Sequence, residues 1–378
     1  MVGNNGGTPA GSAVEPEGQT LPLYLTWADD TEGNYEIMFG KSTDDGATWK
    51  TRRLTKTDGT SEEPAMAIEG RNVYIVWFDD TYGNYEILLD KSTDGGATWE
   101  FQRLTDNPGK SYGNGPSIAA QGRNVYVVWM DDTTGNNEIL LNVSTDAGAT
   151  WQTQRLTDNP GSSGEPSVAV QGRDVYVVWE DEAADDAKAT HIFFNKSTDG
   201  GATWRTQRLT ENKGGLRIPT VAVEGQNVYV LWRDDTYAKQ VIFFNKSTDG
   251  GATWQTRRLA DTTGGTQGLS LALDGRNVYV LWRTEASGKQ EIFFNKSTDG
   301  GATWKLLKLV ADNAGWSKKT SVAADGRNIS VAFQDTTPGN NEIFFAKSTD
   351  GGDTWKFKRV TDNAGVSTSP ALSLGRGR

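Results

Sequence analysis

Apolar positions along this chain fall in short runs of β-forming residues, and none recurs at helical spacing over ten residues. The stretch from Gly164 to Thr210 shows the whole pattern. It opens with PSVAV at Pro166–Val170, turns at Gly172 and Arg173, and continues with VYVVW at Val175–Trp179. A polar loop leads to His191, which starts HIFFNK (His191–Lys196) at a partly exposed strand start. STDGGATW (Ser197–Trp204) and TQRL (Thr206–Leu209) follow. Runs of roughly four to eight β-formers between turn residues predict four strands per stretch.

The stretch repeats. S-T-D-x-G-x-T-W occurs seven times, ending at Trp49, Trp99, Trp151, Trp204, Trp254, Trp304 and Trp355, at intervals of 50 to 53 residues. Seven units of four antiparallel strands predict an all-β fold, a seven-bladed β-propeller. The first unit starts at its second strand (LPLYLTW, Leu21–Trp27). The missing strand stands at the other end as PALSL (Pro370–Leu374), followed by a Gly375-Arg376 turn. The C-terminal strand is therefore expected to complete blade 1 and close the ring, leaving no open edge. Residues 21–378 form one domain in this reading, and residues 1–20 a flexible polar tail.

Composition narrows the chemistry. Acidic residues (49) outnumber basic ones (38) for a net charge of −11, which disfavours a phosphate backbone or an anionic membrane surface as partner. No apolar run approaches membrane-spanning length, so no membrane insertion is expected. The first twenty residues carry no signal-peptide pattern, and an extracellular or cell-surface location is the expectation. With no cysteine and one histidine, His191, disulfides, thiolate chemistry and multi-histidine metal sites are excluded.

The 14 tryptophans divide by the repeat: seven end the S-T-D motif and six end the second strand (Trp27, Trp77, Trp129, Trp179, Trp232, Trp282), leaving Trp316. Six tyrosines share a second-strand position; Tyr35, Tyr82, Tyr85, Tyr112 and Tyr237 do not, and are assigned to loops on the face away from the S-T-D hairpins. Aromatics there either stack on sugars or a protein partner, or pin their own loops.

Blades 1, 2, 3 and 7 share acidic loops, Asp29–Glu36, Asp79–Glu86, Asp131–Glu138 and Asp335–Glu342. Their spacing is turn chemistry and matches no calcium loop, although clustered oxygens could hold Ca²⁺. No cofactor or metal is expected. Blades 4 to 6 depart from this pattern: Glu180-Asp181-Glu182 in the fourth, Leu216-Arg217-Ile218-Pro219 and Arg233-Asp234-Asp235 in the fifth, Arg283 in the sixth. Arg217, Arg233 and Arg283 lie outside the arginine positions of the repeat.

The motif S-T-D-x-G-x-T-W resembles the Asp-box of the sialidase (BNR-repeat) superfamily. The resemblance implies that Asp44, Asp94, Asp146, Asp199, Asp249, Asp299 and Asp350 staple hairpins on the face opposite the binding site. Arg217-Ile218-Pro219 resembles the Arg-Ile-Pro motif of sialidases, whose arginine binds a substrate carboxylate. A second arginine and an acid/base aspartate follow the next strand there, which implies Arg233 and Asp234 or Asp235 here. A tyrosine nucleophile paired with a glutamate would fall to Tyr112 with Glu62 or Glu63. Here the motif stands in the fifth of seven blades, whereas in those sialidases it is in the first of six.

Three functions follow. The leading one is an extracellular recognition propeller that binds a glycan or protein through its loop face, with Arg217, Arg233, Arg283, Tyr237 and Trp316 as ligand-binding residues. The second is a sialidase-like glycoside hydrolase for an acidic sugar, with Asp234, Asp235 and Tyr112 as catalytic candidates. The third is a structural scaffold subunit.

Overall fold

A computed structural model describes residues 21–183, 186–211, 214–236, 239–262, 264–286, 289–313 and 319–375. The expected tail over residues 1–20 lies outside them, as do Tyr237 and Trp316. The described residues form 28 strands in seven four-stranded antiparallel sheets. Each sheet is one blade, and the innermost strands pack side by side in a closed ring. They are Ser367–Leu374, Ser61–Glu69, Ser111–Gln121, Ser163–Gln171, Leu216–Glu224, Thr266–Asp274 and Thr320–Asp325. The described residues include no helix long and apolar enough to cross a membrane.

The ring closes as expected. Leu23 pairs with Leu374, Leu25 with Leu372 and Asp29 with Ser367, so the C-terminal strand is the innermost strand of blade 1. The Gly375 N–H donates to the Pro22 carbonyl at 2.9 Å and finishes the turn.

Second strands read as continuous apolar runs because each blade is covered on both sides. Side chains alternate across a strand, so Val175, Val177 and Trp179 pack into the cluster shared with blade 3. Tyr176 and Val178 pack into the cluster shared with blade 5. Trp27, Trp77, Trp129 and Trp282 are fully buried; at about 25 cal/mol per Å² over ~150 Å², each such ring stabilises its blade junction by about 4 kcal/mol. Innermost strands of adjacent blades do not share a ladder, and serines satisfy the stranded N–H groups. Val168, Val221, Val322 and Leu372 donate to the hydroxyls of Ser117, Ser167, Ser270 and Ser321, at 3.0–3.2 Å.

The Ser-Thr-Asp hairpins are identical devices. In blade 4, Asp199 accepts the Ser197 hydroxyl at 2.7 Å, the Thr203 N–H at 2.9 Å and the Thr203 hydroxyl at 2.6 Å. Hydrogen bonds from Thr203 and Ser197 hold this carboxyl well below the usual aspartate range. Gly251 of the next hairpin has φ 90°, and a Cβ there would sit 2.6 Å from Cζ of Phe194. The repeated tyrosine reaches the following hairpin, as when the Tyr126 hydroxyl donates to the Gly200 carbonyl at 3.4 Å.

Candidate functional site

One face of the disc carries the Ser-Thr-Asp hairpins. The other carries the connections between blades and the loops between second and third strands. On that face, blades 1, 2, 3 and 7 are built alike. In blade 3, Asn136 donates to the carbonyls of Asn159 and Gly161 at 2.8 and 2.6 Å, tying its loop to the next connection. Glu138 is fully buried, accepts the Thr157 hydroxyl, and pairs with Arg155 at 2.8 Å. Asp131 accepts from Ser111 at 2.8 Å and from the Thr133 N–H at 2.9 Å. These carboxylates hold the loops by hydrogen bonds to the chain itself. Among the described residues, no group of three His, Cys, Asp or Glu side chains is placed to hold a metal ion.

Blades 4 and 6 differ in backbone as well as sequence. Their second and third strands run on as Asp174–Ala183 with Asp186–Ser197, and Asn277–Ala286 with Lys289–Ser297, where blade 3 stops at Asp131 and resumes at Glu138. The polar loop expected before His191 is therefore largely strand, and the expectation of a partly exposed strand start is corrected. His191 sits within its strand opposite Asp181 and is buried. The two lengthened hairpins flank blade 5, and each added residue carries a strand about 3.3 Å further.

Among the described residues, the innermost strands of blades 1 to 6 bend near this face. The bend residue is left-handed in five blades: Ser369 (φ 55°), Glu63 (54°), Glu165 (53°), Ile218 (56°) and Gly268 (64°). Only glycine takes this conformation without strain, and for β-branched Ile218 it costs on the order of 1–3 kcal/mol. The bend breaks the ladder between Arg217 and Thr220 and re-aims the side chains at the channel mouth.

Two ion-pair groups meet at that mouth. On one side, Lys319 pairs with Glu63, which also accepts the Ser369 hydroxyl at 3.0 Å; this group links blades 7, 2 and 1. On the other, Arg217 donates to Glu180 of blade 4 at 2.7 Å while 44% of its side chain stays exposed. Arg233, opposite Arg217 in register, turns to Asp235 through Nη2 at 2.9 Å and Nε at 2.8 Å, and to the Thr266 carbonyl of blade 6. Burial opposes the charge of Arg217, but Glu180, Asp235 and Glu165 outweigh it and raise its pKa. Glu180 is pushed up to about 7, by burial first and then by Glu165, against the pull of Arg217 and the Ile218 N–H.

The structure thus brings Arg217, Arg233 and Asp235 together. Arg283 is buried in blade 6 and donates to Gln267 at 2.7 Å. Asp234 is fully buried and accepts the Thr236 N–H at 2.8 Å, the loop-anchoring role that Asp79 and Asp131 have in their blades. Tyr112, assigned to a loop, belongs to the innermost strand of blade 3, opposite Met130. Its side chain is outside the described set, and Glu63 is engaged by Lys319 and Ser369. Glu180 and Glu165 were missed as site residues. A signal existed: the residue after the second-strand aromatic is Ala28, Phe78 and Met130 in blades 1 to 3, but Glu180, Arg233, Arg283 and Gln334 in blades 4 to 7.

No family model matches the chain, and no curated protein does. Solved structures do. A PL25 ulvan lyase bound to -[GlcA(1-4)Rha3S]- aligns with TM-score 0.57 at 11% identity, over 91% of each chain. Trypanosoma rangeli sialidase in complex with DANA aligns with TM-score 0.52 at 14% identity, over 78% of this chain and 56% of that one. An α-L-arabinofuranosidase from Fusarium graminearum aligns with TM-score 0.50 at 14% identity, over 75% and 92%. This chain spans little more than half the length of the sialidase chain. At these identities the likeness is one of fold, and with the seven four-stranded sheets it establishes the chain as a seven-bladed β-propeller.

Proposed function

We propose that this propeller is an extracellular glycan-recognition protein whose loop-face channel mouth, at blades 4 and 5, reads the carboxylate of an acidic saccharide. The observation that carries this reading is Arg217. It stands half-exposed on a strained bend between two lengthened hairpins, with Arg233 opposite it in register. A guanidinium offers the forked donors that a carboxylate accepts. The ulvan lyase, bound to a saccharide containing glucuronic acid, supports the same ligand class through fold analogy.

Titration calorimetry with an oligouronate and with sialyllactose tests the reading. Binding of one of them, weakened about 10- to 100-fold in Arg217→Ala, is the expected result. Absence of binding to both, with a natively folded protein, overturns it and favours a protein partner or a scaffold role.

A second reading, glycoside hydrolysis, is favoured by Glu180. A buried carboxyl titrating near neutrality beside an arginine has the profile of a general acid or base. Release of the fluorophore from a fluorogenic sialoside, lost in Arg217→Ala and in Glu180→Gln, would place this reading first.

A further inference from the structure

A cavity of about 400 Å³ opens on the side of blade 4 that faces blade 3, away from the channel mouth. Its origin lies in how the blades end. In blades 2, 3 and 7 a buried glutamate at the start of the third strand draws in an arginine from the outermost strand, at 2.8–2.9 Å. That pair lies across the end of the blade. Blade 4 has His191 at this position. Its arginine, Arg208, is left with the pair that its counterparts also make to an acid in the following connection, here Glu211, and is more exposed than they are. In blade 5, where Val241 replaces the glutamate, a longer outermost strand pairs Asp261 with Val241 and covers the same end. The outermost strand of blade 4 stops at Arg208.

Strand alternation turns Trp179 and Asp181, His191 and Phe193, and Thr206 and Arg208 to one face of the sheet, where they line the cavity. Residues 156–159 of the preceding connection form its opposite wall. Phe193 stacks on Trp179 at 5.6 Å between centroids and 19° between planes. The acceptors are fixed in place: Asp181 holds Asn159, Ser163 and the Trp179 indole N–H at 2.9, 2.7 and 3.1 Å.

We propose that this cavity is a second ligand site, one that takes a single neutral saccharide ring. Phe193 offers an aromatic face to the C–H side of a pyranose. Around it stand acceptors (Asp181, Asp158), donors (Arg208) and a hydroxyl (Thr206), the mixture that sugar hydroxyls match because each both donates and accepts. Asp158, Asp181 and Glu182 against Arg208 leave the walls net negative, which selects against an anionic sugar. The site shares none of these lining residues with the Arg217 cluster and does not depend on the reading given to it.

The test is saturation-transfer NMR and calorimetry on the whole chain with methyl glycosides of glucose, galactose, mannose, xylose and rhamnose, and with tetramethylammonium as a cationic control. At least one glycoside is expected to bind, with affinity at least tenfold weaker in Phe193→Ala. His191→Glu recreates the glutamate–arginine pair of the other blades and keeps the fold, so it should also abolish binding, whereas Arg217→Ala should not change it. The site is refuted if none of the glycosides binds, if tetramethylammonium binds in their place, if binding survives His191→Glu, or if Arg217→Ala removes it.

Discussion

Blades 1 to 3 and blades 4 to 6 are folded by the same repeat, yet they spend their polar residues differently. In the first group the carboxylates of the loop face are consumed by the chain: Glu86 and Glu138 each hold a threonine and an arginine, and Asp79 and Asp131 each anchor a loop. In the second, the position after the second-strand aromatic changes from Ala28, Phe78 and Met130 to Glu180, Arg233 and Arg283. Charge there reaches across to a neighbouring blade at Glu180 and Arg233, and blades 4 and 6 lengthen their hairpins. A propeller gains stability from sameness around the ring, so the blades where sameness is given up are the ones for which binding chemistry is proposed.

The largest expected effect sets the two groups against each other. Glu138→Ala strands Arg155 and Thr157 in a buried site and should cost about 3 kcal/mol by chemical denaturation, whereas His191→Ala should cost under about 1 kcal/mol. Equal losses would end the distinction between a structural and a vacated blade end. Next, Arg217→Ala should weaken an acidic oligosaccharide by roughly 1.4–2.8 kcal/mol, while Glu62→Ala, one residue before the same bend in blade 2, should leave it unchanged. A matching loss from Glu62 would spread the site around the whole mouth.

Asp90 of blade 2 sharpens the comparison in the other direction. It occupies the position that is Asn142, Asn195, Asn245 and Asn295 in blades 3 to 6, and burial raises its pKa to about 6. The folded state therefore binds the extra proton between about pH 4 and 6, and stability falls as pH rises through that window. Asp90→Asn should remove that slope and stabilise the protein at pH 7.5 by about 1–2 kcal/mol; an unchanged denaturation midpoint would show the carboxylate to be compensated.

Two smaller effects test how the mouth works. Protonation of Glu180 releases Arg217, so affinity for an acidic ligand should rise a few-fold as pH falls from 8 to 6, and Glu180→Gln should flatten that dependence. A wild-type profile that falls over this range would remove Glu180 as the competitor. Ile218→Gly relieves a left-handed β-branched residue and should add about 0.5 kcal/mol of stability while weakening binding through a looser Arg217. Loss of stability would show that Ile218 contributes more by packing than it costs in strain.

Much of this was readable before any coordinates. The seven hairpins and the repeat roles of the tryptophans and tyrosines follow from local turn chemistry and period-2 burial, which one repeat unit already contains, and the ring closure follows from the first unit's missing strand standing at Pro370–Leu374. Arg217 was legible for the same reason: it breaks a pattern stated seven times. Asp234, a catalytic candidate from the sequence, is buried and accepts the Thr236 N–H, and a buried loop anchor and an exposed acid look alike without their partners. Glu180 was passed over because its importance depends on Arg217 being 2.7 Å away in the next blade.

The sequence alone therefore determined the architecture, because blade, turn and hairpin are decided by contacts within about fifty residues that recur identically. Only the tertiary structure decided which charges meet. Pairings such as Glu180 with Arg217 or Lys319 with Glu63 depend on how neighbouring blades are set and on how far each strand runs. A repeat pattern in one dimension carries no record of either.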